Sequence, residues 1–95
     1  MRVVWTRVAL RELDAIGDYI ARDSPAAAER TVRRILDEVD RLADHSHIGR
    51  PGRIANTREL VVTSTPFVVP YRVRDEAVEV LSVFHGKRKW PDKFD

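Results

Sequence analysis

The chain has 95 residues and a formal net charge of +2, a length that allows one modest hydrophobic core and excludes two. It contains no cysteine, which excludes disulfides and thiolate metal sites. No apolar run approaches the roughly 18 residues of a membrane span, and the N-terminus lacks the apolar region of a signal peptide. We therefore expect a cytoplasmic protein that folds as a single domain over residues 1–95.

The first half of the chain predicts a short strand and a helical hairpin. The strand covers residues 2–6, and the hydroxyl of Thr6 can cap a helix over residues 7–22. Ser24 is a typical N-cap residue, and the proline that follows it suits the first position of a second helix over residues 25–43. Both helices carry apolar residues at helical spacing on one face. Because the connection is so short, the two helices must lie antiparallel.

The second half predicts an antiparallel meander of three strands. β-Branched and aromatic runs over residues 57–63, 67–73 and 78–85 are separated by tight turns. The periodicity stops before them, in a loop over residues 44–56. The predicted fold class is α+β, in the order strand, helix, helix and three strands.

Alternation along the strands assigns side chains to the two faces of the predicted sheet. Both faces carry apolar residues, whereas one hairpin covers only one face, so the uncovered apolar surface indicates a partner. Pro70 cannot donate to a ladder and marks a bulge or an open edge in the middle strand. In the last strand, alternation separates one set of residues from a second: Val78, Val80, Ser82 and Phe84 from Glu79, Leu81, Val83 and His85.

The positive charge is concentrated in two segments. Residues 45–58 contain three arginines and no acid, and residues 84–95 contain four cations and two acids. Such patches can attract a polyanion or an acidic partner protein. Ordinary scatter of surface charge gives the same composition, so charge alone leaves both interpretations open.

Four segments of the second half form a pattern by their order and spacing. They are Gly49-Arg50-Pro51-Gly52, Thr57-Arg58-Glu59-Leu60, residues 66–73 and residues 80–90. Together with the strand and hairpin before them, they resemble the RelE/ParE superfamily of toxins from type II toxin–antitoxin modules. The resemblance covers nearly the whole chain.

The resemblance implies a function and partners. Members of the superfamily are small bacterial growth inhibitors, each encoded beside an antitoxin that wraps around the toxin and neutralises it. RelE-like members enter the ribosomal A site and cut mRNA, whereas ParE-like members poison DNA gyrase. The implied partners are therefore a cognate antitoxin and either gyrase or the ribosome with its mRNA. Operator DNA would be contacted only through the antitoxin, and no cofactor is implied.

A RelE-like activity would need groups that activate a ribose 2′-hydroxyl, stabilise a phosphorane and protonate the leaving oxygen. The resemblance places Arg58 and Arg88 at cationic positions of that family. His85 could transfer protons because an imidazole titrates near neutrality, and Trp90 could stack on a base. If the chain is RelE-like, the catalytic residues are Arg58, His85 and Arg88. The residues expected to bind the target are Lys87, Arg88, Lys89 and Trp90.

The middle strand departs from the nuclease pattern. Many RelE-like nucleases have an arginine two or three positions before a tyrosine of this strand, where this chain has Val68 and Val69 before Tyr71. Valine can neither neutralise a phosphate nor donate a hydrogen bond. The apolar residues 67–69 and the ending at residues 83–85 are more similar to ParE, which favours the gyrase-directed branch.

The antitoxin is expected to present an acidic and apolar segment to the exposed sheet face and the helical hairpin. Its apolar residues would cover the open surface, and its acids would meet the basic patches. The predicted antitoxin-binding residues are Arg50, Arg53, Val68 and Arg72.

Each candidate residue also has a structural interpretation. His85 can be a strand-end histidine held by hydrogen bonds, Arg58 can form a salt bridge with a helix carboxylate, and Trp90 can cap the core. His45 and His47 lack the neighbours of a metal site, so none is expected. Two further classes remain open, a non-catalytic nucleic-acid-binding module and a degenerate toxin that only binds its antitoxin.

Overall fold

The computed structural model describes residues 1–87, which form two helices on one face of a six-stranded mixed sheet. Helix α1 spans Arg7–Ala21, and α2 spans Pro25–Asp40 and continues into a 3₁₀ turn at Arg41–Ala43. The strands are β1 (Arg2–Trp5), β2 (Arg50–Pro51), β3 (Arg58–Val61), β4 (Phe67–Arg74), β5 (Ala77–Val80) and β6 (Phe84–His85). Their order is β1-β5-β4-β3-β2, and β6 also pairs with β4. This confirms the predicted α+β class.

The sheet joins the two ends of the described chain. Strands β3, β4 and β5 are antiparallel, as predicted. Strand β1 lies parallel to β5, with Arg2 opposite Ala77 and Trp5 opposite Val80. The predicted loop over residues 44–56 is wrong in one part, because β2 lies within it and pairs with the start of β3.

Both helices begin at the caps that the sequence predicts. The Thr6 hydroxyl accepts from the Ala9 amide at 3.2 Å and donates to the Val80 carbonyl at 2.8 Å. The Ser24 hydroxyl accepts from the Ala27 amide at 3.1 Å. Each cap satisfies an amide that the first helical turn leaves unpaired. Thr6 in addition fixes the start of α1 to β5.

A β-bulge separates β5 from β6. Tyr71 lies opposite Val80 and Val68 lies opposite Phe84, so two residues of β4 face the three residues 81–83, which is the geometry of a bulge. The bulge occurs where the sequence places Pro70, although the extra residue belongs to the neighbouring strand. The open edge considered for Pro70 is wrong, since β4 is flanked on both sides.

The bulge reverses the alternation predicted for the end of the meander. Val83 packs in the same core cluster as Val80, and the His85 ring contacts Phe67 of that cluster. The sequence instead assigned Ser82 and Phe84 to the face of Val80, and this assignment is wrong because one extra residue moves every later side chain to the other face.

The hydrophobic core lies between the helices and the sheet. Neither helix of residues 1–87 combines the length and the apolar character that crossing a membrane requires. The fully buried side chains of this core come from α1, α2, the 3₁₀ turn, β4 and β5 and from the segments flanking β3 and β6: Ala9, Ile35, Val39, Leu42, Val62, Val69, Tyr71, Val78, Val80 and Val83.

Candidate functional site

An open apolar groove of about 580 Å³ lies between α1 and the Phe67 end of β4. Ile16, Tyr19 and Ile20 of α1 form one wall, at spacings that place them on one helical face. Tyr19 is 69% exposed, although it is a large aromatic residue. The opposite wall is formed by Val83, Phe84 and His85, with Phe67 and the turn at residues 64–66 beside them.

His85 is held in the groove by a ring contact and a short turn. Its ring meets Phe67 edge to face, with centroids 5.9 Å apart and planes at 78°. Its Nδ1 accepts a hydrogen bond from the Lys87 amide at 3.2 Å, which leaves the proton of the neutral imidazole on Nε2. The structural interpretation of His85 as a strand-end histidine thus has contacts to support it, while Nε2 has no partner within these contacts.

The middle of β4 is closed by polar contacts around the buried hydroxyl of Tyr71. This hydroxyl donates to the Ser46 carbonyl at 2.8 Å and accepts from the Gly49 amide at 2.9 Å. Burial raises the pKa of Tyr71, while the hydrogen bond from Gly49 and the charge of Arg58 act in the opposite direction. A Cβ at Gly49 would lie 2.6 Å from the Tyr71 ring and hydroxyl, so only glycine allows this approach.

Arg58 belongs to the Tyr71 region of the sheet and holds the same loop. Its Nη1 donates to the Gly49 carbonyl at 2.8 Å and lies 3.4 Å from the His47 carbonyl. The alternative interpretation of Arg58, a salt bridge with a helix carboxylate, is wrong, since Arg58 contacts loop carbonyls instead. Arg58 therefore contributes to the anchoring of residues 47–49.

Arg58 and His85 lie beside different parts of β4. Arg58 pairs with Tyr71 and His85 with Phe67, four residues apart, which is about 13 Å along the strand. They also lie on different sides of β4, two strand spacings apart, so their Cα atoms are separated by about 16 Å. Arg88 lies outside the described residues. The two described members of the predicted catalytic trio are therefore not brought together.

The arginines on the sheet face away from the helices are paired with glutamates. Glu59 is 2% exposed, and it accepts from Arg50 Nε at 2.9 Å and from the Arg53 amide at 3.0 Å. Glu79 accepts from Arg72 Nε at 2.6 Å and from an Arg74 Nη at 3.2 Å. A buried carboxylate is tolerated only with such partners. The cations on this face thus serve first to neutralise the protein's own acids.

Four further site residues were predicted, and two of them lie within the described residues. Val68 is only 6% exposed, so the sequence-based expectation of an open apolar face is wrong at this position, and its contact with an antitoxin stays a prediction. Lys87 is exposed beside the groove. Lys89 and Trp90 lie outside the described residues. Within residues 1–87, no group of three or more histidine and carboxylate side chains could hold a metal ion.

Glu12 is a residue of the site that sequence reasoning missed. Its Oε1 accepts from the Ser82 hydroxyl at 2.7 Å and from the Val83 amide at 3.2 Å, and its side chain lines the groove. A signal was present in the sequence, because Glu12 precedes Ile16 and Ile20 by four and eight residues and shares their helical face. A carboxylate in an apolar stripe needs a partner.

Comparison with known families and proteins identifies relatives of the chain. A family model described as ParE toxin of type II toxin-antitoxin system, parDE, matches residues 3–90. The putative toxin Y4kP of Sinorhizobium fredii is 51% identical over 90 residues, which are 95% of this chain and 93% of that protein. Toxin RelE2 of Caulobacter vibrioides is 42% identical over 87 residues, or 92% of this chain and 97% of that one.

Solved structures share the fold. The chromosomal ParDE TA system from P. aeruginosa contains a chain that matches with a TM-score of 0.81 and 32% identity, over 90% of this chain and 95% of that one. The intact E. coli RelBE toxin-antitoxin complex matches with a TM-score of 0.57 and 16% identity, over 92% of this chain and 98% of that one. The second likeness concerns the fold alone.

Proposed function

The chain belongs to the ParE toxin family of type II toxin–antitoxin systems, and on that premise we propose that it arrests bacterial growth by poisoning DNA gyrase. In this proposal the toxin acts by binding a protein target, and a cognate antitoxin neutralises it. The ribosome-dependent cleavage of mRNA is the second candidate, because a relative that is 42% identical carries the name RelE2. A degenerate toxin and a nucleic-acid-binding module are outcomes of the tests below.

The separation of Arg58 from His85 is the observation that supports a binding mechanism over a cleaving one. Cleavage by phosphoryl transfer requires the proton-transfer group and the cation to reach one phosphate within hydrogen-bond distance. The two residues lie about 16 Å apart on the sheet, and Arg58 is directed at the carbonyls of residues 47 and 49. An mRNA phosphate beside His85 would not meet Arg58.

The paired arginines of the outer sheet face support the same choice. A phosphate arriving there would have to displace Glu59 from Arg50, or Glu79 from Arg72. The displaced Glu59 is buried and would lose the partner that makes its burial tolerable. Val68 adds no cation to this face.

The groove is the surface that we propose for the antitoxin. Its floor is apolar, and cations stand at its rim, since Lys87 follows His85 and Arg22 lies 5.7 Å from the Tyr19 ring centroid. A segment that carries both apolar and acidic side chains complements this combination. Arg50, Arg53 and Arg72 remain proposed antitoxin contacts, and so does Val68.

Expression of the chain under tight control in bacteria tests the target. We expect growth arrest with intact mRNA and with gyrase-dependent DNA breaks or altered supercoiling of a reporter plasmid. We expect Arg58→Ala to reduce arrest only in proportion to its loss of stability. Rapid cuts of mRNA within codons, abolished by His85→Ala or Arg88→Ala, would instead establish the nuclease. Absence of arrest would point to a degenerate toxin or a binding module.

The contribution of charge to antitoxin binding is tested by salt. We expect the affinity of the purified complex to fall between low and high ionic strength, because exposed charge pairs are screened. Lys87→Ala and Arg22→Ala should each reduce the salt dependence. An affinity that does not change with salt would rule out the electrostatic part of the proposal.

A further inference from the structure

The bulge at residues 81–83 buries two hydrogen-bond donors whose acceptor comes from α1 and not from a neighbouring strand. Ser82 is 4% exposed and Val83 is 1% exposed, so the hydroxyl of the first and the amide of the second are removed from water. A buried donor without a partner destabilises the fold, because it loses its hydrogen bond to water and gains none in return. Glu12 of α1 supplies one oxygen to both donors.

This contact also determines which side chains form the groove. With the bulge, Val83 and His85 lie on the helix side of the sheet, and His85 packs against Phe67. Without it, a regular strand would turn Phe84 to that side and remove Val83 and His85 from it, because a one-residue shift exchanges the two faces. Glu12 stabilises the first arrangement over the second.

We infer that Glu12 is a positioning residue of the groove. Its carboxylate joins the two walls, α1 on one side and the bulge on the other, and holds His85 and Val83 in the wall that a partner contacts. Glu12 acts through this wall, and its role in recognition rests on the proposed use of the groove by the antitoxin.

Three variants of the purified full chain test the inference. Glu12→Ala removes the acceptor, Glu12→Gln keeps an oxygen acceptor at the same position, and Ser82→Ala removes one of the two donors. Glu38→Ala is the matched control, because Glu38 is a largely buried glutamate of α2 whose partners are Arg34 and Arg41. It does not line the groove.

Two readouts report on the position of His85. The first is the nuclear Overhauser contact between the Phe67 and His85 rings, together with hydrogen exchange of the Val83 amide. The second is the dissociation constant of 8-anilinonaphthalene-1-sulfonate, an apolar anion that suits an apolar groove with a cationic rim. Both are measured under conditions where the protein is fully folded by circular dichroism.

We expect Glu12→Ala to lose the ring contact, to accelerate Val83 exchange about tenfold or more, and to weaken dye binding about tenfold. Ser82→Ala should change the same readouts less, and Glu12→Gln should stay near the original protein. Glu38→Ala should lower stability and leave the ring contact and dye binding unchanged. If Glu12→Ala does not fold, the remaining variants decide. Larger changes of the ring contact and dye binding in Ser82→Ala than in Glu12→Gln and Glu38→Ala support the inference, and equal changes overturn it.

Retention of the ring contact and of Val83 protection in Glu12→Ala would overturn the inference, as would equal losses in Glu38→Ala. The test is independent of the proposed function, because neither readout uses gyrase or an antitoxin. If the readouts change as expected while neutralisation by the co-encoded antitoxin is unaffected in Glu12→Ala, the positioning role stands and the proposed use of the groove fails.

Discussion

The Phe67 end and the Tyr71 region of β4 share one strand and one sheet face but differ in how their side chains are satisfied. In the Tyr71 region, hydrogen bonds among a buried hydroxyl, a glycine and an arginine fix the loop over residues 46–49. At the Phe67 end, the helix and the strand stand apart, and an apolar groove with an exposed Tyr19 remains open. The polar residues around Tyr71 thus preserve the shape of the sheet, whereas the apolar residues beside Phe67 leave open the groove that we propose as the binding surface.

The Tyr71 region should be the more sensitive of the two to added side-chain volume. Gly49→Val places side-chain atoms where the Tyr71 ring lies 2.6 Å from a Cβ, so the loop must move and the hydroxyl loses its donor. We expect the free energy of unfolding to fall by roughly 3 kcal/mol. Urea denaturation followed by circular dichroism measures it, and a loss under about 0.5 kcal/mol would show that the loop is not anchored as described.

Removal of the Tyr71 hydroxyl should lower the free energy of unfolding by less than Gly49→Val does. Tyr71→Phe leaves the Gly49 amide and the Ser46 carbonyl without the hydroxyl, and we expect a loss of about 1–2 kcal/mol in unfolding free energy. Tyr19→Phe makes the same chemical change at the exposed groove rim and should have almost no effect. Similar losses of unfolding free energy in both variants would contradict the distinction between a hydrogen-bonded Tyr71 region and an open groove.

The pairing on the outer face predicts a dependence of stability on pH. The hydrogen bond from Arg72 lowers the pKa of Glu79 below its ordinary value of 4.5, with a smaller contribution from Arg74 and partial opposition from burial. Because the pKa is lower in the folded state, the stabilisation is present above pH 4.5 and is lost as pH falls through the folded pKa.

Denaturation at a series of pH values tests this dependence. Glu79→Gln should flatten the decline of stability below pH 4.5, and Glu76→Gln, an exposed glutamate of the neighbouring turn, should not. An unchanged slope in Glu79→Gln would show that the ion pairs are too weak to matter. Salt should reduce the slope of the original protein, since all three side chains are partly exposed.

At the groove the expected change in stability is the smallest, while the change in recognition is large. Tyr19→Asp alters a side chain that is 69% exposed, so the unfolding free energy should stay within about 0.5 kcal/mol. An acid at the rim would repel the acidic segment that we propose for the cognate antitoxin, so the antitoxin should rescue growth less well. Tyr19→Lys is the control for charge sign. Equal rescue of both variants would separate the groove from antitoxin binding.

The sequence predicted the elements whose signals are local. Thr6 and Ser24 could be recognised as caps because a hydroxyl directly before a helical repeat can accept a hydrogen bond from an unpaired amide of the first turn. The meander followed from short β-branched runs between turns. The pairing of β2 could not be predicted, because two residues carry no periodicity. The hydrogen-bond partners of Arg58 could not be predicted either, because the sequence does not indicate in which direction a long, flexible arginine side chain extends.

The faces of the last strand show a different limit. Alternation counts residues, and a bulge changes the count without leaving a sequence signature of its own. Pro70 marked the region correctly, yet it could not indicate that Leu81 to Val83 would supply the extra residue. The groove depends on that residue, so alternation along the strand could not predict it. The position of Glu12 within the apolar stripe of α1, in contrast, could be read from the sequence.

The parallel pairing of β1 with β5 has a consequence for the order in which the newly made chain folds. Arg2 meets Ala77, 75 positions later, so the first strand waits for its neighbour until most of the chain has been synthesised. The helical hairpin can form early from local contacts, whereas closing the sheet over so long a separation is slow. During that interval the nascent protein lacks the finished groove, because the wall at residues 83–85 follows β5 and needs the closed sheet.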